Sequence, residues 1–255
     1  MKVEYISHYG DDLFVVNVAR ASFDKWSDVW NEKKDVGLIN YLAREGHDSP
    51  FFHPKITLRI TASIFVARQW ERHRVGVCRS HDMPDLNEVS RRYVDSQPEY
   101  LFPEWRDRPD KSIKQGSGQV MGQPRQNSIA HRYEKVINAC TDFYHYALDS
   151  NTAPEQARMV LPQSMYTTWI ETGSLMYWAR FYKMRAESHA QKEIQEPAQE
   201  IAKIIEPLFP VSWPQITRNR MAELKELNRQ LLDALKQNVP NYESLDIVKT
   251  VENYK

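Results

Sequence analysis

The chain has 255 residues, enough for one substantial hydrophobic core, and its 34 lysines and arginines balance its 34 aspartates and glutamates. This balance disfavours a dedicated nucleic-acid coat protein but allows a local cationic pocket for a small anion. No run of about 18 apolar residues predicts a membrane span, and the N-terminus lacks the apolar core of a signal peptide. Two cysteines suit a reducing compartment. We therefore expect a cytoplasmic protein, bacterial or virus-encoded, with no membrane and no nucleic-acid partner.

The first third of the chain predicts short strands and two helices. The stretches "YISHYG" and "LFVVNVARASF" favour short β segments, the second ending near Ser22. Residues 35–47 have apolar side chains at helical spacing, with Gly46 as a plausible stop. Residues 55–61, "KITLRIT", alternate polar and apolar side chains as a half-buried strand does. Residues 63–74, "SIFVARQWERHR", then predict a helix whose end carries several cations.

The remainder predicts mostly helix. Residues 103–128 are rich in proline, glycine and charge and predict a mobile loop. An amphipathic helix follows in "AHRYEKVINACTDFYHYALDS", with Cys140 at apolar spacing and therefore expected in a core. Residues 153–209 predict further helix, kinked or broken at Pro197. We expect one domain over residues 1–213 and a helical extension over residues 214–255.

The chemistry of the chain is concentrated in its arginines. There is no glycine-rich phosphate loop, so side chains must hold any nucleotide, and arginine has the planar fork that matches phosphate. Five arginines lie between Glu71 and Tyr93. If "NEVSRRY" is extended, Glu88, Ser90 and Arg92 share one side and can grip a polar ligand. A polar edge strand with surface ion pairs would give the same pattern.

Two further groups of residues are open to two interpretations. Gln69 and Arg72 share one face of the predicted helix, where they either line a site or place charge at a helix C-terminus. Three more arginines lie among apolar residues: Arg158, Arg180 and Arg185. A buried arginine needs a partner, which is either a carboxylate such as Glu171 or a phosphate.

The motifs together resemble the flavin-dependent thymidylate synthases. They occur in order as "ARASFD", "EGHDSPFFH", "IFVARQWERHR", "NEVSRRY", "ARMVLPQSMYT" and "MRAESHAQKEIQ", spread over residues 19–195. The resemblance implies an α/β (α+β) fold of the thymidylate synthase-complementing type, with a central, mostly antiparallel sheet flanked by helices. It also implies methylation of dUMP to dTMP, with 5,10-methylenetetrahydrofolate as carbon donor, NADPH as reductant and FAD as hydride carrier. A homotetramer with active sites built from more than one subunit is expected.

The resemblance also implies roles for individual residues. The residues expected at the flavin cofactor are Ser22, His53, Arg72, His73, Arg74, Glu88, Ser174 and Arg180. Those expected at dUMP are Gln69, Glu88, Ser90, Arg92, Arg158 and Arg185. Of these, Ser90 and Arg185 are expected to take part in catalysis, Ser90 by polarising the pyrimidine rather than as a nucleophile. No enzyme thiol is expected to attack the pyrimidine.

There are two departures from the family pattern. One is in "TGSLMYWARF", where Ser174 and Arg180 stand at polar positions that touch flavin in relatives, and the other is the length of the loop after Arg74. Twelve residues separate Arg74 from Asn87, more than is usual, and they include Cys78, His81 and Asp82, which we interpret as a surface loop rather than a metal site. Related methylation or hydroxymethylation of UMP or dCMP remains a rival activity, because such enzymes share phosphate-binding residues. An interaction protein on an enzyme scaffold and a nucleic-acid-binding module are the other rivals.

Overall fold

Within the described part of the chain, four antiparallel strands form the sheet, in the order β1-β2-β4-β3. Their bounds are β1 Lys2–Tyr9, β2 Lys55–Ser63, β3 Asp85–Glu88 and β4 Tyr166–Ser174. The long central pair is in register from Lys55 opposite Ser174 to Ser63 opposite Tyr166. This sheet confirms the predicted strands "YISHYG" and "KITLRIT".

This computed structural model describes residues 1–72, 85–94, 96–110 and 116–238. Two compact units divide the chain, Met1–Thr217 and Arg218–Lys255. The first contains the sheet and the helices α1 Asp12–Arg20, α2 Glu32–Glu45, α3 Ile64–Glu71, α4 Gln123–Asp149, α5 Pro154–Ala157, α6 Leu175–Arg185, α7 Lys192–Ile205 and α8 Ser212–Thr217. The second contains α9, Arg220–Asn238, where the tail helix was predicted.

One face of the sheet is buried under helices and the other is polar. On β2, Ile56, Leu58 and Ile60 are fully buried and join apolar side chains of α1, α2, α3, α6 and α7 in one core. On the opposite face, Thr57 and Thr61 each pair with a threonine hydroxyl of β4 at 2.9 Å. Alternation along the strand therefore separates the core from a polar surface, as the sequence pattern predicts.

Helix α2 follows the local sequence signals closely. The Asn31 side chain accepts a hydrogen bond from the amide of Lys34 at 3.0 Å, and Gly46 ends the helix in the left-handed conformation at φ 70°. The predicted stop at Gly46 is confirmed. Residues with a side chain are strained at that φ, so the glycine is needed for the backbone rather than for packing.

The stretch "LFVVNVAR" is a helix, and the predicted strand there is wrong. The Asp11 carboxylate caps α1 by accepting from the amide of Phe14 at 2.7 Å, and Val15 and Val16 are buried in the core. Valine prefers strands because its branched side chain is stiff in a helix. Here the cap and the burial of one helical face outweigh that preference.

The expectation that residues 153–209 are mostly helical is wrong for β4. Its buried positions include polar residues, among them the fully buried Glu171. The sequence of β4 therefore lacks the alternation of apolar and polar residues that predicts a half-buried strand. The Glu171 carboxylate accepts hydrogen bonds from the indole of Trp169 at 2.9 Å and from the hydroxyl of Tyr177 at 2.6 Å. These tertiary partners permit a carboxylate inside the core.

Three further expectations need correction. Helix α7 runs unbroken through Pro197, so a helix break there is wrong, and the alternative of a kink stays a prediction. The buried face of the helix, which includes Ile194 and Ile201, packs in the core on both sides of the proline. Residues 123–128 belong to α4 rather than to the predicted loop. Cys140 is half-buried instead of lying in a core.

Helix α4 explains why Cys140 is not in a core. The helix is 27 residues long but packs on a small cluster formed by Tyr144, Ala147 and Ala157, apart from the main core. Three large apolar side chains on α4 are more than half exposed: Val136, Phe143 and Tyr146. Among the described residues, no helix is both long and apolar enough to cross a membrane.

Candidate active site

A first cleft of about 610 Å³ lies where β3 ends and β4 begins. It is lined by three arginines and three glutamates, Arg68, Arg91, Arg158, Glu88, Glu99 and Glu155. Burial, followed by the nearby Glu99 carboxylate, raises the pKa of the Tyr166 phenol at the same cleft, so its hydroxyl stays protonated. The cleft therefore offers cations, carboxylates and a neutral donor together.

Glu88 is held in this cleft by β4. Its carboxylate accepts a hydrogen bond from the Thr167 hydroxyl at 2.6 Å, and Thr167 lies opposite Ala62 in the sheet register. The strand β3 ends at Glu88, and residues 91–93 form a turn. The expectation that "NEVSRRY" is extended throughout is therefore wrong beyond Glu88.

The turn after Glu88 places Ser90 and Arg92 differently from an extended strand. The Ser90 hydroxyl accepts from the Arg92 amide at 3.3 Å and from its Nε at 3.4 Å. The Arg92 guanidinium lies 5.2 Å from the centre of the exposed Tyr93 ring. It is the neighbouring Arg91, which the sequence analysis did not assign, that lines the first cleft.

A second cleft of about 960 Å³ holds two more of the predicted nucleotide residues, Gln69 and Arg185, whereas Ser90 and Arg92 line neither cleft. Gln69 and Arg72 come from the end of α3, and Arg185 comes from the end of α6. Trp105 and Arg106 also line this cleft. The helical spacing of Gln69 and Arg72 therefore does place both on one side, as predicted.

Two polar groups in the second cleft are buried without a hydrogen-bond partner among the described residues. They are the amide oxygen Oε1 of Gln69 and the Nε of Arg185. A different nitrogen of Arg185, Nη2, donates to the backbone carbonyl of Gln69 at 3.3 Å. Burial lowers the pKa of the Arg185 guanidinium. An unsatisfied buried donor beside an unsatisfied acceptor costs stability unless a ligand satisfies both.

Four residues that the resemblance placed at the flavin line neither cleft. Ser22 and His53 are exposed, and Arg180 is exposed on α6. Ser174 is fully buried, and its hydroxyl caps α6 by accepting from the amide of Tyr177 at 2.9 Å. Their roles at a flavin stay predictions.

Each of the remaining predicted residues lines one of the two clefts or lies outside the residues that the structure describes. Glu88 and Arg158 are in the first cleft, and Gln69, Arg72 and Arg185 are in the second. His73 and Arg74 lie outside the described residues, as do Cys78, His81 and Asp82. The sequence analysis missed three lining arginines: Arg68, Arg91 and Arg106. Arg68 and Arg91 lie next to residues that the motifs assigned to the site, and this position in the sequence could have identified them.

The sequence profile of the thymidylate synthase complementing protein family matches residues 4–211. The chain belongs to this family. A flavin-dependent thymidylate synthase of Thermotoga neapolitana is 36% identical over 211 residues, which are 83% of this chain and 88% of that protein. One of Treponema denticola is 34% identical over 239 residues, 90% of this chain and 86% of that protein.

Solved structures extend this similarity to the fold. Two structures of the UMP/dUMP methylase PolB from Streptomyces cacaoi, bound with 5-Br dUMP and 5-Br UMP, match with a TM-score of 0.72 and 27% identity. They cover 85% of this chain and 94% and 93% of the methylase chains. The predicted family, the α/β (α+β) fold with an antiparallel sheet, and the prediction of an enzyme are confirmed.

Proposed function

We propose that this member of the thymidylate synthase complementing protein family methylates dUMP at C5 to give dTMP. The carbon donor is 5,10-methylenetetrahydrofolate and the reductant is NADPH. The observation that carries the proposal is the pair of unsatisfied buried atoms, Gln69 Oε1 and Arg185 Nε, in a cleft of nucleotide size. The curated relatives, named as flavin-dependent thymidylate synthases, support the same reaction.

The second cleft suits a uracil ring. An imide edge presents one N–H donor between two carbonyl acceptors, and a glutamine amide with an arginine provides the matching acceptor and donors. C5 of the pyrimidine is nucleophilic when the ring has enolate character, which places negative charge on a ring carbonyl oxygen before C5 attacks the carbon donor. A fixed, partly buried guanidinium such as Arg185 stabilises that charge without having to reorganise.

The residues available for the flavin fit an anionic cofactor. Arg72 lies beside Gln69 in the second cleft, where its guanidinium can pair with a phosphate. FAD, when bound, supplies hydride chemistry that amino-acid side chains lack. The reaction is proposed without an enzyme thiol; of the two cysteines, the structure describes Cys140, which lies on α4, and α4 lines neither cleft.

Four of the six predicted nucleotide residues lie in two separate clefts, and we propose that assembly joins these clefts. In a homotetramer, the first cleft of one subunit would face the second cleft of another, so that Glu88 and Arg158 meet the Gln69 and Arg185 of a neighbour. The apolar surface of α4 supports assembly, because Val136, Phe143 and Tyr146 are more than half exposed. Phe143→Glu should then dissociate the oligomer and abolish turnover, whereas Lys135→Glu, on an exposed position of the same helix, should not.

The experiment that tests the reaction is NADPH oxidation measured without oxygen. The purified protein should be yellow, should oxidise NADPH faster when dUMP is present, and should form dTMP when methylenetetrahydrofolate is added. A folded, colourless protein without nucleotide-dependent NADPH oxidation would contradict the proposal and would favour an interaction protein on an enzyme scaffold.

UMP is the second candidate substrate. The structural neighbours are named UMP/dUMP methylases and were solved with both 5-bromo nucleotides. Turnover measured side by side with dUMP, UMP and dCMP separates the candidates. A preference for dCMP would contradict the imide recognition by Gln69, because cytosine lacks the N3–H donor.

A further inference from the structure

Two short segments, residues 105–108 and 117–121, pair with each other beside the second cleft; we call them the paired arms. Arg106 bridges to Val120, the Asp107 amide donates to the Gln119 carbonyl at 2.9 Å, and the Met121 amide donates to the Trp105 carbonyl at 2.9 Å. Gly118 fits because an added Cβ would lie 2.7 Å from the carbonyl oxygen of Arg108. The arms are therefore ordered by their own backbone hydrogen bonds.

Arg106 fastens the arms to the start of α7. Its Nη2 donates to the Glu193 carboxylate, and its Nε donates to the Ser117 hydroxyl at 2.7 Å. The two charged side chains are 20% and 12% exposed, so this is a mostly buried ion pair. Gln191 donates to the other carboxylate oxygen of Glu193 at 3.0 Å. One guanidinium thus holds both arms and a helix terminus together.

The same residues form a wall of the second cleft. Trp105, Arg106 and Ser117 line the same cleft as Gln69 and Arg185. Behind the wall, the Trp105 ring packs on Tyr133 with centroids 5.3 Å apart, and its amide donates to the Gln126 side chain at 2.9 Å. The wall is therefore anchored to α4 at its back and to α7 by the ion pair.

We propose that Arg106 and Glu193 are positioning residues that set the width of the second cleft and so determine how tightly it binds the uridine nucleotide. The inference rests on the proposed function of that cleft. Two nitrogens of Arg106 are already engaged by Ser117 and Glu193, so its contribution comes through the wall it fixes. Burial opposes ionisation of Glu193, but hydrogen bonds from Arg106 and Gln191 outweigh it and lower the pKa of its carboxyl, so the pair is charged at neutral pH.

Arg106→Ala and Glu193→Gln are the variants that test this proposal. Each should raise KM for dUMP at least tenfold and leave kcat within about threefold, because the wall is lost and the reacting groups are not. The double variant should be no worse than the worse single variant, because the two side chains act as one unit. Arg106→Lys keeps the charge and should recover part of the affinity.

A matched control lies on the same arms. Arg125 pairs with Asp107 at 2.8 Å, but these side chains are 63% and 42% exposed. Asp107→Asn removes that exposed ion pair and should leave KM unchanged. If Arg106→Ala does not fold, Ser117→Ala removes only the Nε contact and should raise KM less than Glu193→Gln does.

Direct dUMP binding by calorimetry separates the two proposals. A flavin-loaded wild-type protein that does not bind dUMP would overturn the proposed function itself. A wild-type protein that binds dUMP, with Arg106→Ala and Glu193→Gln binding equally well, would overturn only the positioning role. Additive effects of the two substitutions, or a fall in kcat at unchanged KM, would also overturn it.

Discussion

The two clefts differ in whether buried polar atoms of their lining residues lack a hydrogen-bond partner. In the first, three arginines share the lining with three glutamates, and Glu88 is already hydrogen-bonded to Thr167. In the second, Gln69 and Arg185 keep buried atoms unsatisfied. A cleft whose buried polar atoms already have hydrogen-bond partners can stay stable without a ligand. A cleft with buried polar atoms that lack partners gains most from binding one. We therefore expect the second cleft to contribute more to nucleotide affinity than the first.

Replacing Arg185 gives the largest expected effect. Arg185→Ala should weaken dUMP binding by about 1.5–3 kcal/mol, the usual range for a hydrogen bond to a charged group. Calorimetry with the flavin-loaded protein measures the loss directly. Flavin content should stay near that of the wild type, and an equal loss of flavin and nucleotide would instead indicate a role of Arg185 in folding.

Arg158→Ala tests the first cleft in the same assay. Arg158→Ala should weaken dUMP binding by about 1.5 kcal/mol, the lower end of that range, because Arg68 and Arg91 remain in the cleft to bind an anion. Arg158→Lys, which retains the charge, serves as the control. A loss larger than that of Arg185→Ala would reverse the comparison between the clefts.

Thr167→Val sharpens the comparison by freeing Glu88. The substitution keeps the shape of the side chain and removes the donor 2.6 Å from the carboxylate. One net hydrogen bond is worth about 1 kcal/mol, so KM for dUMP should rise about fivefold. Thr172→Val is the matched control on β4, because its hydroxyl pairs with Thr57 at 2.9 Å and neither residue lines the first cleft. Equal effects of both substitutions would indicate general damage to the strand.

The smallest expected effect is that of the cysteines. Cys140 is half-buried on a helix outside both clefts, and Cys78 lies outside the described residues. The Cys78→Ser/Cys140→Ser double variant should keep its dUMP turnover, with any loss following thermal stability. A soluble, flavin-loaded double variant without turnover would show that an enzyme thiol attacks the pyrimidine after all.

Local sequence signals predicted the elements whose caps and periodicity agree. Helix α2 has its Asn31 cap and its Gly46 stop, and β2 alternates cleanly between core and surface. The family could also be predicted, because motifs such as "NEVSRRY" and "MRAESHAQKEIQ" need only identity and order to be compared. Roles of individual residues could therefore be predicted from the family motifs without knowledge of the fold.

Local signals failed where tertiary contacts override preference. The valines of α1 favour a strand when they are considered alone. Glu171 is polar at a buried position of β4, so the sequence there does not show the pattern of a half-buried strand. In the first case a side-chain cap and core burial decide the element, and in the second two hydrogen bonds from aromatic side chains make the buried carboxylate acceptable. These partners lie within six residues of each other in the sequence, but only the tertiary structure decides that Val15, Val16 and Glu171 are buried, and this burial makes the contacts decisive.

The sequence by itself determined the family of this protein, and it predicted arginines, Gln69 and Glu88 as the groups that bind a nucleotide. Only the tertiary structure decided how they divide into two clefts and which of them are already paired. The contacts responsible join residues 79 positions apart, as for Thr167 and Glu88, or 87 apart, as for Arg106 and Glu193. Residue type determines which interactions a side chain can make, but the path of the chain determines which partner it meets.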